Sequence, residues 1–279
     1  MRFTRTLTQQ ILRLIQLLSP PYCILCQQTH TAPRPICFAC EGALPRNHSA
    51  CRRCASPLPQ TLGRCNRSKS TQSAAGDIPR LVEGTTALFQ SSVSATCSRC
   101  RHIPPTFKET QAPYLMRGGI KELIHLWKFH QHPHLTPLLA SLFFESAASQ
   151  VNLSSMRPAT LVPVPTQWDR RLNRGFDHTW LLAQALKQKS LVSHDVKSWL
   201  KTRQRREPQH RLARTERFIN ADSPFIASQK LKGCEVIVID DVITTGATAS
   251  AAARACIEAG AQSVKVWCVA KTPSPQLSR

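Results

Sequence analysis

Val236-Ile-Val-Ile-Asp-Asp-Val-Ile-Thr-Thr-Gly-Ala-Thr-Ala-Ser250 is the stretch on which the fold turns. Four β-branched apolar residues in a row suit the centre of a parallel sheet, buried on both faces. The Ala-rich run from Ala247 to Ala259 suits the helix that follows. Between strand and helix, Thr244, Thr245, Gly246, Ala247 and Thr248 place backbone N–H groups and three hydroxyls at a helix N-terminus, where the dipole favours a phosphate. Asp240 and Asp241 precede this turn and are suited to accept hydrogen bonds from sugar hydroxyls. An ordinary polar corner does not explain why two adjacent acids end a buried strand.

This stretch resembles the signature with which type I phosphoribosyltransferases hold 5-phosphoribosyl-1-pyrophosphate (PRPP). The rest of the chain narrows the resemblance. Pro163-Val-Pro165, Arg170-Arg171, Arg174-Gly-Phe176, Gln209, Arg217, Asn220 and Phe225 follow one another in an order similar to that of the ComF competence-protein family. Four Cys-x-x-Cys pairs upstream match the amino-terminal zinc region of the same family. Residues 61–96 are the main stretch without a counterpart. The resemblance implies an α/β fold, an open parallel sheet of the type I phosphoribosyltransferase kind with helices on both faces, preceded by a small Cys-rich zinc-ribbon module.

Within that frame, the sequence divides into an amphipathic helix over 1–18, a Cys-rich zinc-binding region over 19–110 and a phosphoribosyltransferase-like domain over 114–275. Phe3, Leu7, Ile11, Leu14, Ile15 and Leu18 fall at helical spacing, and Arg13 interrupts any signal-peptide core. No run approaches the ~18 apolar residues that span a bilayer. Without an export signal, twelve cysteines point to metal before disulfides and to a cytoplasmic chain.

Cys23-x-x-Cys26 and Cys37-x-x-Cys40 have zinc-ribbon spacing, with ten residues between the pairs. Cys51-x-x-Cys54 and Cys97-x-x-Cys100 supply a second set across a long gap containing Cys65. Sequence leaves the number of sites and their connectivity open, including a cross-braced arrangement. The zinc is structural: residues 19–113 are poor in long apolar runs, and metal binding supplies folding free energy. His30, His48 and His102 read as surface histidines.

From Tyr114 onward, helical periodicity appears twice, through Leu115–Trp127 and Leu135–Phe143. Arg117, Lys121 and Lys128 are read as the solvated basic face of the first helix, with Trp127 and Phe129 in a core-facing stripe. Strands are expected near 160–164, 195–200, 235–239 and 264–269, and a helix over 178–189. In the family, the loop after the first of these strands receives pyrophosphate, a task suited to the forked guanidinia of Arg170, Arg171 and Arg174. The family usually has Asn-Gln after Arg-Gly-Phe, whereas this chain has Asp177-His178. Lys201–Arg217, with seven basic and two acidic residues, corresponds to the flexible loop that closes over PRPP, with Gln209 and Arg217 at family positions.

The formal charge of +21 and pI near 10.2 exceed what a small-molecule enzyme needs. Two Zn²⁺ on eight thiolates lower the charge only to about +17. Such a chain is expected to meet polyanions, single-stranded DNA first among them. Three readings follow. One is a ComF-like protein of natural competence that handles incoming single-stranded DNA and carries a site for PRPP with Mg²⁺. Another is a nucleobase-salvage phosphoribosyltransferase, and the third a non-catalytic protein that docks a competence helicase. Charge and the cysteine pairs favour the first, while two tyrosines provide few stacking platforms for reading bases. The acceptor has no legible motif.

Overall fold

A computed structural model describes residues 21–58, 96–129, 132–148, 158–166, 176–190, 194–203 and 224–273. The expected helix over 1–18, Arg170, Arg171, Arg174, Gln209, Arg217, Asn220 and the loop around Cys65 lie outside them. In chain order the elements are α1 (Phe38–Gly42), α2 (Ser98–His102), β1 (Glu109–Gln111), β2 (Tyr114–Leu115), α3 (Gly118–Phe129), α4 (Thr136–Ala148), β3 (Thr160–Pro163), α5 (His178–Lys189), β4 (Asp195–Val196), β5 (Leu200–Thr202), β6 (Phe225–Ala227), β7 (Glu235–Ile239), β8 (Val242–Ile243), α6 (Ala247–Glu258), β9 (Ser263–Trp267) and β10 (Ala270–Lys271).

The main sheet is wholly parallel, in the order β1-β9-β7-β3-β4. Its central strand is the Val236–Ile239 run, with Ile237 opposite Leu161 on one side and Lys265 on the other. Successive side chains of a strand point to opposite faces, and two cores result. Ile237 and Ile239 pack with Leu161, Trp267, Trp127, Leu139 and Leu182 under α3, α4 and α5. Val236 and Val238 pack with Val162, Val264 and the Ala252–Ala253 face of α6. Alanines on α6 let that helix approach the sheet closely.

In α3, Ile120, Leu123, Ile124 and Trp127 are buried at i, i+3, i+4 and i+7 spacing. The Trp127 indole donates to Thr136 Oγ1 at 2.9 Å, which ties α3 to the start of α4. Asp177 caps α5 by accepting from the Trp180 N–H at 3.1 Å.

Two local expectations are corrected. Helix does not begin at Tyr114: Tyr114–Leu115 is a short parallel strand against β10, and α3 starts at Gly118, whose φ of +50° lies in the left-handed region. The strand expected over 195–200 stops at Val196, and Leu200–Thr202 pairs instead with β6 in an antiparallel hairpin.

The Cys-rich region is built into both cores. Cys23, Ile36 and Leu44 belong to the first, and Ala55 and Phe107 to the second. It also supplies the edge strand β1, where the Thr110 N–H donates to Arg52 O and its hydroxyl to Arg53 O.

Candidate functional site

Where β7 ends, the chain turns through the two acids. Asp241 N donates to Asp240 Oδ1 at 2.9 Å, and Asp240 N donates to Trp267 O at 3.0 Å. Asp241 is 6% exposed, and two side chains converge on one oxygen of its carboxylate. Lys128 Nζ of α3 lies 2.5 Å from Oδ2, and His178 Nε2 of α5 lies 2.7 Å from it. Ionisation follows that asymmetry. Burial and the neighbouring Asp241 charge push Asp240 up to about 8. Asp241 is held well below the ordinary carboxylate range: burial opposes ionisation, but the His178 hydrogen bond and the Lys128 charge outweigh it.

A cavity of about 590 Å³ opens over the acids, walled by Lys128, Thr166, His178, Ala247, Thr248 and Phe225. Its rim holds the described ends of both arginine-bearing segments. The chain leaves at Thr166 before Arg170–Arg174 and resumes at Phe176. It leaves again after Arg203, whose N–H donates to Pro224 O at 2.8 Å, and resumes at Pro224. Of the described residues near these breaks, Thr166, Thr202 and Pro224 line the cavity.

Gly246 is the N-cap of α6, with φ +85°, a conformation costly for any side-chain-bearing residue. Thr245 Oγ1 accepts from Ala247 N at 3.3 Å, and Lys271 Nζ donates to the Thr244 and Thr272 carbonyls. Ala247 and Thr248 face the acid cavity. Thr244, Thr245 and Gly246 border a neighbouring hollow of about 530 Å³, shared with Arg99, Phe107 and Lys271. The turn thus stands between the sugar-sized cavity and the second cysteine cluster.

The cysteines gather as Cys23, Cys26, Cys37, Cys40 and as Cys51, Cys54, Cys97, Cys100, the sulfurs of each set within 4.8 Å of one another. The sets are sequential, not cross-braced. A tetrahedral zinc with Zn–S bonds of about 2.3 Å requires S···S edges of about 3.8 Å. Cys26···Cys37 is 3.8 Å and Cys54···Cys97 is 3.7 Å. Backbone N–H groups also point at sulfur, Cys37 N to Cys23 Sγ at 3.4 Å and Cys97 N to Cys51 Sγ at 3.3 Å. In each set one thiol ionises readily, Cys23 at about 6 and Cys54 at about 7, both favoured by hydrogen bonds despite burial. Burial and the crowded sulfurs push Cys40 up to about 12, and Cys100 also rises. A divalent cation relieves that crowding. All four ligands are sulfur, so these are closed structural Zn²⁺ sites.

Sequence reasoning placed Asp240, Asp241 and the turn at one locus, and the structure brings them together. It did not place Lys128 or His178 there. Lys128 is no part of a solvated face, unlike the exposed Arg117 and Lys121, because its ammonium reaches inward to Asp241. The usable signals were its position beside the buried Trp127 and the departure at Asp177-His178. Trp127 is the expected core residue, whereas Phe129 is 59% exposed.

Sheet, acid pair, phosphate turn and paired Cys₄ clusters define a phosphoribosyltransferase-like α/β protein with a double zinc ribbon. The family model of the double zinc ribbon domain matches residues 14–69, and that of the phosphoribosyl transferase domain matches residues 186–279. The chain is similar to proteins named YhgH, ComFC and competence protein F. It is 27% identical over 180 residues to the DNA utilization protein YhgH of Salmonella typhimurium, covering 64% of this chain and 79% of that one. To the competence protein ComFC of Bacillus subtilis it is 29% identical over 175 residues, 61% and 69% of the two chains. To competence protein F of Haemophilus influenzae it is 25% identical over 153 residues, 53% and 66% of the two. Among solved structures, B. subtilis glutamine phosphoribosylpyrophosphate amidotransferase matches half of this chain and 26% of its own at 16% identity, with a TM-score of 0.32.

Proposed function

We propose that the protein binds PRPP or a related phosphoribosyl ligand at Asp240–Thr248 and acts in natural competence, handling incoming single-stranded DNA in the cytoplasm. The observation that carries the ligand reading is the cavity of about 590 Å³ that joins the acid pair to the N-terminus of α6. Carboxylates suit ribose hydroxyls, and the amides and hydroxyls of the turn suit the 5′-phosphate. Arg170, Arg171, Arg174, Gln209 and Arg217 follow in sequence the cavity-lining Thr166 and Thr202, which supports a role at the diphosphate. Mg²⁺ enters with the ligand, whose diphosphate and hydroxyl oxygens are its donors and whose charge it screens. Asp241, already engaged by Lys128 and His178 on Oδ2, is not arranged as a metal cage. If transfer to an acceptor occurs, the chain contributes positioning and electrostatic stabilisation of a cationic C1.

The DNA part rests on charge and on similarity to proteins named for competence and DNA utilization. No helix among the described residues is long and apolar enough to cross a membrane. Calorimetric titration of the zinc-loaded protein with Mg²⁺ and PRPP tests the ligand. Binding is expected, and its loss in Asp240→Asn/Asp241→Asn assigns the site; no binding at millimolar PRPP removes this reading. Affinity for single-stranded DNA is expected to fall steeply with salt, and charge reversal at Lys201–Arg217 to flatten the slope. Salt-insensitive binding removes the DNA reading.

A further inference from the structure

Asp241 is reached from three elements that are remote in sequence. Lys128 comes from the last turn of α3, His178 opens α5, and the carboxylate follows β7. The Lys128 ammonium and the His178 imidazole both address Oδ2, at 2.5 and 2.7 Å, and their side chains are 16% and 7% exposed. Neither side chain is loosely placed. The neighbouring Trp127 is fully buried, and its ring meets that of His178 edge-on at 5.4 Å. On its other side, His178 Nδ1 lies 3.2 Å from Thr166 Oγ1, which itself lies 3.2 Å from Asp177 Oδ1. Asp177 is fixed in turn by Thr179 Oγ1 at 2.9 Å and Trp180 N at 3.1 Å. A chain of contacts thus runs from the cap of α5 through Thr166 and His178 to the acid pair.

We infer that Lys128 and His178 are positioning residues of the ligand site, which together hold Asp241 as a fixed anion and leave Asp240 as the acid whose charge responds to what enters the cavity. The inference deepens the phosphoribosyl reading and rests on it for its consequence in binding. Its physical basis is independent of any ligand. Two adjacent carboxyls, Asp241 buried and Asp240 partly so, cannot both ionise cheaply, and without fixed partners the proton they retain has no preferred owner. An ammonium and an imidazole N–H on one oxygen of Asp241 decide the question in its favour. His178 stands where the resembling family usually has glutamine. An amide there would also hydrogen-bond Asp241, so the imidazole shares that orienting role. Among the described residues, the titratable groups near Asp241 are Lys128, His178 and Asp240, with Asp177 one hydroxyl further away and the Cys268 thiol, pushed up by burial and by the charges of both acids.

The direct test needs no ligand. Carboxyl ¹³C titration of the zinc-loaded protein, with Asp240→Asn and Asp241→Asn variants to assign the signals, follows both acids in the parent, in Lys128→Met, in His178→Gln and in the double variant. In the parent, the Asp241 signal is expected to show no protonation down to about pH 4. In Lys128→Met and the double variant its transition moves upward by about one to three pH units, while His178→Gln alone retains orientation and moves it less. Lys128→Arg should restore the parent profile, an outcome that a space-filling role does not predict. Zinc content and thermal melting confirm folding, and where Lys128→Met fails to fold, His178→Gln and Lys128→Arg carry the comparison. An Asp241 transition unmoved in the folded variants overturns the inference.

The second readout is the affinity for Mg²⁺ and PRPP between pH 5 and 8. Lys128→Met should lose about tenfold or more at pH 5.5 while staying within about threefold at pH 8. A uniform loss at every pH also overturns the inference, since it assigns Lys128 a general electrostatic pull. Absence of PRPP binding in the parent protein defeats the phosphoribosyl reading alone, because the carboxyl titration still decides what holds Asp241.

Discussion

Asp240 and Asp241 share a peptide bond but make opposite contributions to stability. Asp240 is raised to about 8, above the ordinary carboxyl value, so the unfolded chain releases its proton first. The resulting penalty grows as pH rises from about 4 to about 8 and then levels off. Asp240→Asn should therefore raise the melting temperature, and by more at pH 9 than at pH 5; an equal change at both would refute the assignment. Asp241 is depressed by His178 and Lys128, so its contribution is present at neutral pH and lost only in strong acid. Asp241→Asn leaves the Lys128 ammonium without its partner and should cost about 3 kcal/mol in denaturant unfolding at pH 7. His194 acts in a third way. It is 1% exposed, its Nδ1 accepts from Ala159 N at 3.2 Å, and its Nε2 has no partner among the described residues. Burial lowers its pKa, so the unfolded chain gains the proton first as pH falls below about 6.5, and stability drops. His194→Gln, which cannot take that proton, should shrink the fall in melting temperature between pH 7 and 5; an unaltered fall would exclude His194 as a contributor.

At the scale of elements, the turn before α6 depends on a single backbone conformation. Gly246 sits at φ +85°, and a Cβ there would meet Ile243 Cδ1 at 3.6 Å, an ordinary contact. Space is available, so Gly246→Ala should be penalised through its dihedral, by about 1–2 kcal/mol. The affinity of the site for inorganic phosphate or PRPP should fall with it, while zinc content stays at the parent level. Unchanged affinity would mean that the amides of this turn do not hold the phosphate. This element was legible in sequence because its signals are local: a β-branched run, two acids, a glycine and an alanine-rich helix follow one another within the span Val236–Ala259. The helix expected over 178–189 is found over those residues, with Asp177 as its cap. Lys128 was not legible, since nothing within α3 tells whether a lysine beside the buried face turns outward or reaches a carboxylate 113 positions further along. Tyr114–Leu115 was misread because its apolar residues fit the periodicity of the next helix, whereas the strand exists only through pairing with β10 at the far end of the chain.

Across the whole molecule, the zinc clusters and the α/β sheet share material, which argues against two modules on a tether. Cys23 is itself a member of the core that contains Trp127 and Trp267, together with Ile36 and Leu44. The second cluster is joined to the same body through Phe107, β1 and the hollow beside the phosphate turn. Unfolding either cluster thus exposes apolar surface belonging to the sheet, and unfolding the second also loosens β1, the strand on the edge of β9. Removing the metal should be felt everywhere. Two zinc ions per chain are expected, and extraction by a strong chelator should lower the melting temperature of the α/β part, followed through the buried Trp127 and Trp267, together with that of the ribbons. Since bound metal stabilises by mass action, the shift should also depend on free zinc concentration. Two separate transitions, with the tryptophan-reported one unaffected by chelation, would show instead that the sheet stands alone and that the shared core adds little to its stability.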